Sequence, residues 1–485
     1  MRSTDPDDPA VVAATIIDGT DLGSQVVAFV ASEGPSSVIA GFTIKGGSGN
    51  PGGGMVLVQC SPTITKCVFT GNTGSGNGGG IYNQIANPTI TNCTFTLNTA
   101  ASGSGGGIYN NGSNPTITNC IFTENTARLG GGIYNNNSNP NVTDCVFTSN
   151  LSTHFDDTPP HRGGGGMLNH NSSPIISNCT FDSNIANRAG GGMCNQFASN
   201  AIVTDCNFTG NSAVHDGGGI QNYQSSVMLT GCNFSNNTSQ QGGGGVTNDT
   251  QSNSTITDCT FTGNIATVNG AGIENKNSNV IVTGCTFTNN EAGAGGAGML
   301  NQGGSNGQVN ACIFIGNVAR EGGGLFNIES SNPTVTDCTF TGNTATNVDG
   351  GGGGMMNLSN SSPIVTNCNF SENMAEYGGA VEDYDGCISI WTDCTFTNNN
   401  AGVGGAMYIW GSAPTVTGCT FTGNDAVTGG AMCTDAGTMD VLDSSFSGNS
   451  AFEGGAIQND KSNILSLTNC VFHSNVAEQF GGYSN

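Results

Sequence analysis

The amino-acid sequence predicts an all-β chain folded as a single parallel β-helix (β-solenoid), about 17 turns of about 27 residues each. Three observations predict it. A Phe recurs at positions 69, 95, 122, 147, 181, 208, 234, 261, 287, 314, 340, 370, 396, 421, 446 and 472, and the third residue after it is Asn in all sixteen copies. Cys stands two before that Phe in fifteen of the sixteen, Ser444 being the exception. A Gly cluster then leads into an apolar residue and usually Asn, as in Ile81-Tyr82-Asn83 and Met299-Leu300-Asn301.

Residues 1–54 lack this unit. Ile16-Ile17-Asp18-Gly19 through Gly41-Phe42-Thr43-Ile44 read as one or two irregular turns, and residues 55–485 as regular repeats. Within a repeat, Pro62, Pro88, Pro115, Pro140, Pro174, Pro333, Pro363 or Pro414 opens a strand, where a missing N–H is tolerable. The following Thr-Ile-Thr and Thr-Phe-Thr segments alternate polar with apolar residues and are rich in β-branched side chains, the pattern of half-buried strands. Helix pairs would need apolar residues at three- and four-residue steps and few Gly, against 78 Gly in this chain.

One repeat cannot bury its Ile, Cys and Phe alone. Stacked in register at roughly 4.8 Å per turn, copies pile into interior columns such as Cys93, Phe95 and Asn98, or Cys259, Phe261 and Asn264. Asn after Phe is expected to turn the chain inward and pair its amide with the Asn above and below. The Gly triplet, tolerant of positive φ, is expected to form a bend. Such a stack makes a rod of ~80 Å.

Composition excludes several function classes. The chain has 34 acidic and 9 basic residues, a formal net charge of −25. Nucleic-acid binding needs a basic surface, and an anionic membrane would be repelled, so neither partner is expected. No apolar run of eighteen residues exists, so membrane insertion is not expected either. Residues 1–9 lack the apolar core of a signal peptide, and the chain reads as a mature or excised segment of something longer.

The signatures Gly-Gly-Gly/Ala-Ile and Phe-x-x-Asn, iterated over roughly residues 55–480, resemble the repeats of chlamydial polymorphic outer-membrane proteins. They are also similar to many bacterial right-handed β-helix surface proteins. That resemblance implies a right-handed coil and an extracellular or cell-surface passenger segment, often linked to adhesion. Members usually carry a C-terminal β-barrel translocator, for which no counterpart is read here.

The fifteen ladder cysteines read as small buried hydrophobes sharing one column, because parallel Cβ directions suit disulfide geometry badly. Cys60, Cys194, Cys387 and Cys433 lie off the ladder, and Cys60–Cys67 and Cys387–Cys394 are candidate local bridges. No C-x-x-C occurs, so no metal site is expected from cysteine.

Parallel β-helices also house polysaccharide lyases and hydrolases, whose sites need an acidic cluster with a Lys or Arg base, or paired carboxylates. None of the four Lys (45, 66, 276 and 461) falls beside an acidic trio, so no catalytic residue is assigned and an enzyme is not expected. Two features offer ligand contacts instead. The insertion His154-Phe155-Asp156-Asp157-Thr158-Pro159-Pro160-His161-Arg162 lengthens one corner, as a binding loop or as a tolerated surface insertion. Aligned on the Gly triplet, Arg128, Arg162, Arg188 and His215 fall in one column over four turns, with Arg320 further along. The column reads either as a groove for an anionic glycan or as a solvated edge paired with Asp156, Asp157 and Asp216.

The outward Thr-x-Thr array, such as Thr94 and Thr96 or Thr420 and Thr422, resembles an ice-binding face, though it also simply suits exposed strands. Glu382, Asp383 and Asp385 form an acidic corner with no EF-hand or nonapeptide repeat to make it a Ca²⁺ site; a solvated face is expected, and no cofactor. The expectation is therefore a non-enzymatic extracellular structural or adhesive rod, whose partners are a cell-surface glycan or another copy stacked end to end. End-to-end stacking follows from reading neither end as capped.

Overall fold

The computed structural model describes residues 1–30, 32–155, 163–460, 464–480 and 483–484. The chain packs as two units, 1–240 with 244–246 and 241–243 with 247–485. Both are built the same way, from turns of four short strands. In the first unit one turn is Thr89–Thr91, Thr94–Thr96, Thr99–Ser104 and Ile108–Asn111. In the second, one turn is Thr334–Thr336, Thr339–Thr341, Thr344–Ala345 and Met355–Leu358. Counted over both units, the four parallel sheets hold 16 to 18 strands each among the described residues, as about seventeen turns require.

Register is residue for residue. Phe95 pairs with Phe69 and Phe122, and Phe340 with Phe314 and Phe370. In a Thr-Phe-Thr strand the middle residue points inward, so the Phe side chains are buried and the Thr pair faces out. Successive rings lie 4.6–4.9 Å apart in the first unit and 4.6–5.1 Å in the second. That spacing is the strand separation itself. Each Phe meets copies of itself, and its burial contributes roughly 1.5–3 kcal/mol.

The Asn ladder forms as its spacing predicts. The Nδ2 of Asn98 donates to Asn125 Oδ1 at 3.0 Å and to the Phe69 carbonyl at 2.9 Å, while Asn125 Oδ1 also receives the Asn98 backbone N–H at 3.1 Å. A second ladder runs through the Asn after the Gly cluster: Asn83 donates to Asn110 and Asn110 to Asn135, each at 2.7 Å. All nineteen cysteines are free, so neither Cys60–Cys67 nor Cys387–Cys394 is bridged. The Cys93 thiol donates to the Thr91 carbonyl at 3.3 Å, and its backbone N–H points at Cys120 Sγ at 3.5 Å. Ser444 substitutes without disruption, its Oγ accepting from Cys419 N at 3.1 Å.

Each repeat bends through left-handed residues. Asn92 and Leu97 in one turn have φ of 54° and 57°. Asn, Asp and Gly dominate these two positions because they tolerate that region best. The Gly triplet combines two requirements. Its first member adopts positive φ, as at Gly105 (71°). Its third has no room: a Cβ at Gly107 would stand 2.7 Å from the Gly132 carbonyl and 2.9 Å from Phe122 Cδ1.

The N-terminal edge departs from expectation. Residues 9–14 form a helix, α1 (Pro9–Ala14), with Pro in its first turn and the Asp8 side chain accepting from Ala10 N. Val12 is buried, and its carbonyl accepts from Thr43 Oγ1 at 2.9 Å. Met1 and Ser3 bond the backbone of Ala40 at 3.0 Å each, covering the edge of the strand Val38–Ala40. This cap closes one sheet edge only, since the strands Ile16–Asp18 and Val27–Phe29 are each paired on one side. The cap uses none of the repeat's residues, so no periodic signal marks it.

Candidate functional site

The strand after each Gly triplet carries an unusual column. Its first residue points inward, yet the second, which alternation turns outward, is buried too. The corner glycine lies directly over it: a Cβ on Gly130 would come within 2.9 Å of Tyr134 Cβ. In the first unit this outer column runs through apolar Val56, Tyr82, Tyr109, Tyr134, Leu168 and Cys194 and then turns polar at buried Gln221. In the second it includes Leu300, Phe326 and Met356. Glu382 comes next, in register with Met356 below and Tyr408 above. Carboxyls therefore occupy two positions of this column, Glu382 and, beside Leu300, the buried Glu274.

Around it opens a cleft of about 240 Å³ lined by Asp349, Tyr377, Glu382, Tyr384, Tyr408 and Trp410. Strand pairing of Val381–Tyr384 with Met407–Trp410 sets Tyr384 against Trp410, their rings stacked at 4.4 Å. Tyr377 and Tyr408 meet at 5.0 Å with planes tilted by 37°. Asp349 is exposed, Tyr377, Tyr384 and Trp410 are half-buried, and Glu382 is 2% exposed. Glu382 Oε2 is buried with no hydrogen-bond partner of ordinary geometry. Burial, then the nearby carboxyls of Glu321 and Asp383, push its acid up to about 8, against the pull of the Gly351 N–H. Glu382 is a protonated acid at neutral pH.

Asp383 faces the opposite way and serves structure. It ends the second Asn ladder, its Oδ1 accepting from Asn357 Nδ2 at 2.7 Å. The residue over it is buried Ile409, which has no side-chain acceptor. A carboxyl can also accept from the Ser389 and Trp391 donors beside it, where an Asn would set an N–H against the Trp391 N–H. Burial raises its acid to about 6, while Asn357, Ser389 and Trp391 pull the other way. The expected solvated acidic face is thus corrected: Glu382 and Asp383 are both buried, and only Asp385 of the three is exposed. No group of three or more metal-ligating side chains occurs among the described residues.

Of the residues singled out in the sequence, Glu382 of the acidic corner lines this cleft and the histidine and arginine candidates do not. Asp156, Asp157, His161 and Arg162 lie outside the described residues. His154 is buried, which corrects its reading as part of a projecting loop; its backbone N–H donates to the Arg128 carbonyl at 3.1 Å. Arg188 and His215 are linked likewise, His215 N to Arg188 O at 2.6 Å. Arg128, Arg188 and His215 are half-buried and belong to the first unit, while Arg320 is exposed. The cleft residues escaped sequence reading because only Tyr408 and Glu382 sit at a column position. One signal was present: of 8 Tyr and 2 Trp in the chain, five fall between Tyr377 and Trp410.

The ladder thiols are not candidates. Burial pushes the Cys93 thiol well above its usual value, so it stays protonated and unreactive. No helix among the described residues is long and apolar enough to cross a membrane.

Compared with known families, the chain matches the one described as right handed beta helix region over residues 25–185, 161–295 and 269–406. No curated protein matches it.

Proposed function

We propose, from the premise that this chain belongs to the right-handed β-helix family, that it is a non-enzymatic extracellular binding and adhesive scaffold that holds a saccharide in the Asp349–Trp410 cleft. The fold serves enzymes and non-enzymes alike, so the reading rests on the site. The observation that carries it is the cleft itself, with four aromatic side chains and two carboxyls facing one cavity of about 240 Å³ on the outer side of the coil. Aromatic walls pack against the apolar faces of a sugar ring, and a few polar groups fix its hydroxyls. The resemblance of the Gly-Gly-Gly/Ala-Ile and Phe-x-x-Asn motifs to chlamydial surface-protein repeats supports a cell-surface adhesive role. The net charge of −25 keeps such a surface from self-association through broad faces.

Lyase chemistry is disfavoured because, among the described residues, no Lys, Arg or His lines the cleft to take a proton or neutralise a uronate. A hydrolase is the second reading, favoured by one observation: Glu382 holds its proton near pH 7, as a general acid must.

A glycan array followed by calorimetry tests the proposal. Wild-type chain should bind a saccharide class that Trp410→Ala and Tyr384→Ala lose, with no release of reducing ends over days. Reducing-end release by the wild type but not by Glu382→Gln would replace the binding reading with the hydrolase. Unchanged binding in Trp410→Ala would remove the cleft from either.

A further inference from the structure

The cleft's charge is one-sided. Among the described residues its lining holds the carboxyls of Asp349 and Glu382, four aromatic side chains and no cation. Glu321 and Asp383 add negative potential at Glu382. Glu382 Oε2 is buried beside Gly351 and makes no hydrogen bond of ordinary geometry, so the carboxyl's capacity to accept is not filled. A neutral hydroxyl would satisfy the lone pair but leave the surrounding potential uncompensated. A carboxylated sugar would be repelled. An ammonium supplies both the donor and the counter-charge, and the electron-rich faces of Tyr and Trp add cation–π attraction.

We infer that the cleft takes an amino sugar with a protonated amine, a glucosamine-type residue, in preference to neutral, N-acetylated or acidic sugars. The ring packs on the aromatic walls, and the ammonium is received by Glu382 and Asp349. The inference rests on the saccharide reading of the cleft and names its substrate class. A volume of about 240 Å³ lies just below the ~300–1,000 Å³ range of pockets for larger ligands, so one sugar ring is held at a time.

Ammonium binding has a linked consequence. Beside a cation the carboxylate form of Glu382 is favoured, so binding should expel the proton that Glu382 carries in the free protein. At pH 6 the sugar amine is already protonated, and the released proton comes from the protein alone.

The test is calorimetry of the full chain at pH 6 with short glucosamine, N-acetylglucosamine, glucose and galacturonate oligomers, in two buffers of different ionisation enthalpy. The glucosamine oligomer should bind about tenfold or more tighter than the others, the size of one charge-assisted hydrogen bond. Its enthalpy should depend on the buffer as release of a proton requires. Glu382→Gln, nearly isosteric and checked for folding by circular dichroism, should bind glucosamine and glucose oligomers alike and release no proton. Equal affinity of the wild type for amino and neutral sugars, or a preference that survives Glu382→Gln, overturns the inference while leaving the saccharide site standing. Failure of every oligomer to bind overturns both.

Discussion

Replacing Glu382 with Gln should flatten the pH dependence of stability of the turns that hold it. The acid of Glu382 is raised from 4.5 to about 8 in the folded protein, chiefly by burial. Between those values the folded state keeps a proton that the unfolded chain has lost, so stability falls as pH rises. Each pH unit in that interval costs about 1.4 kcal/mol. The acid of Asp383 is raised only to about 6, so of these two neighbouring carboxyls Glu382 is the one that titrates between pH 6 and 8. Across that window the wild type should lose about 2–3 kcal/mol more than Glu382→Gln.

The assay is denaturant unfolding at closely spaced pH values, followed by tryptophan fluorescence. Trp391 and Trp410, the chain's two tryptophans, both lie in the turn that carries Tyr408, the upper neighbour of Glu382, so the signal reports the right place. The variant should be no more stable than the wild type near pH 4.5 and clearly more stable at pH 8. Parallel pH profiles for the two proteins from 6 to 8 would refute the reasoning, because the titrating group would then lie elsewhere.

Other consequences follow from the ladders. Asp383→Asn should lose about 1–3 kcal/mol at pH 7 in denaturant melts, by setting an N–H against the N–H of Trp391. Gly107→Ala forces a Cβ to 2.7 Å from a backbone carbonyl in the next turn, and should cost about 1–3 kcal/mol in denaturant melts. Phe95→Ala removes a fully buried ring from its stack and should cost about 3–5 kcal/mol. A thiol reagent should label native protein rapidly at one site, Cys470, since the other eighteen cysteines are buried, and all nineteen after unfolding. Fast modification of several native thiols would contradict the closed column.

The site was far less legible than the scaffold, for reasons particular residues make plain. Phe95, Cys93 and Asn98 announce their roles because each must match its copies a turn away, and that constraint repeats along the chain. Asp383 breaks the second Asn ladder only because Ile409 lies over it, a fact about two residues twenty-six apart in sequence. Tyr384 and Trp410 look like scattered aromatics until pairing stacks them. The column of Arg128, Arg188 and His215 was visible in the sequence, but its reading depended on neighbours that spacing does not give.

The sequence by itself determined that this chain coils, how long each coil is and which side chains line its shaft, since parallel in-register stacking turns a linear period into a spatial one. Only the tertiary structure decided that a glutamic acid falls on the outer apolar column, that corner glycines close over it, and that four aromatic rings from adjacent turns enclose it. Those contacts arise where the repeat is broken, and a broken repeat carries no periodic signal from which its geometry can be read.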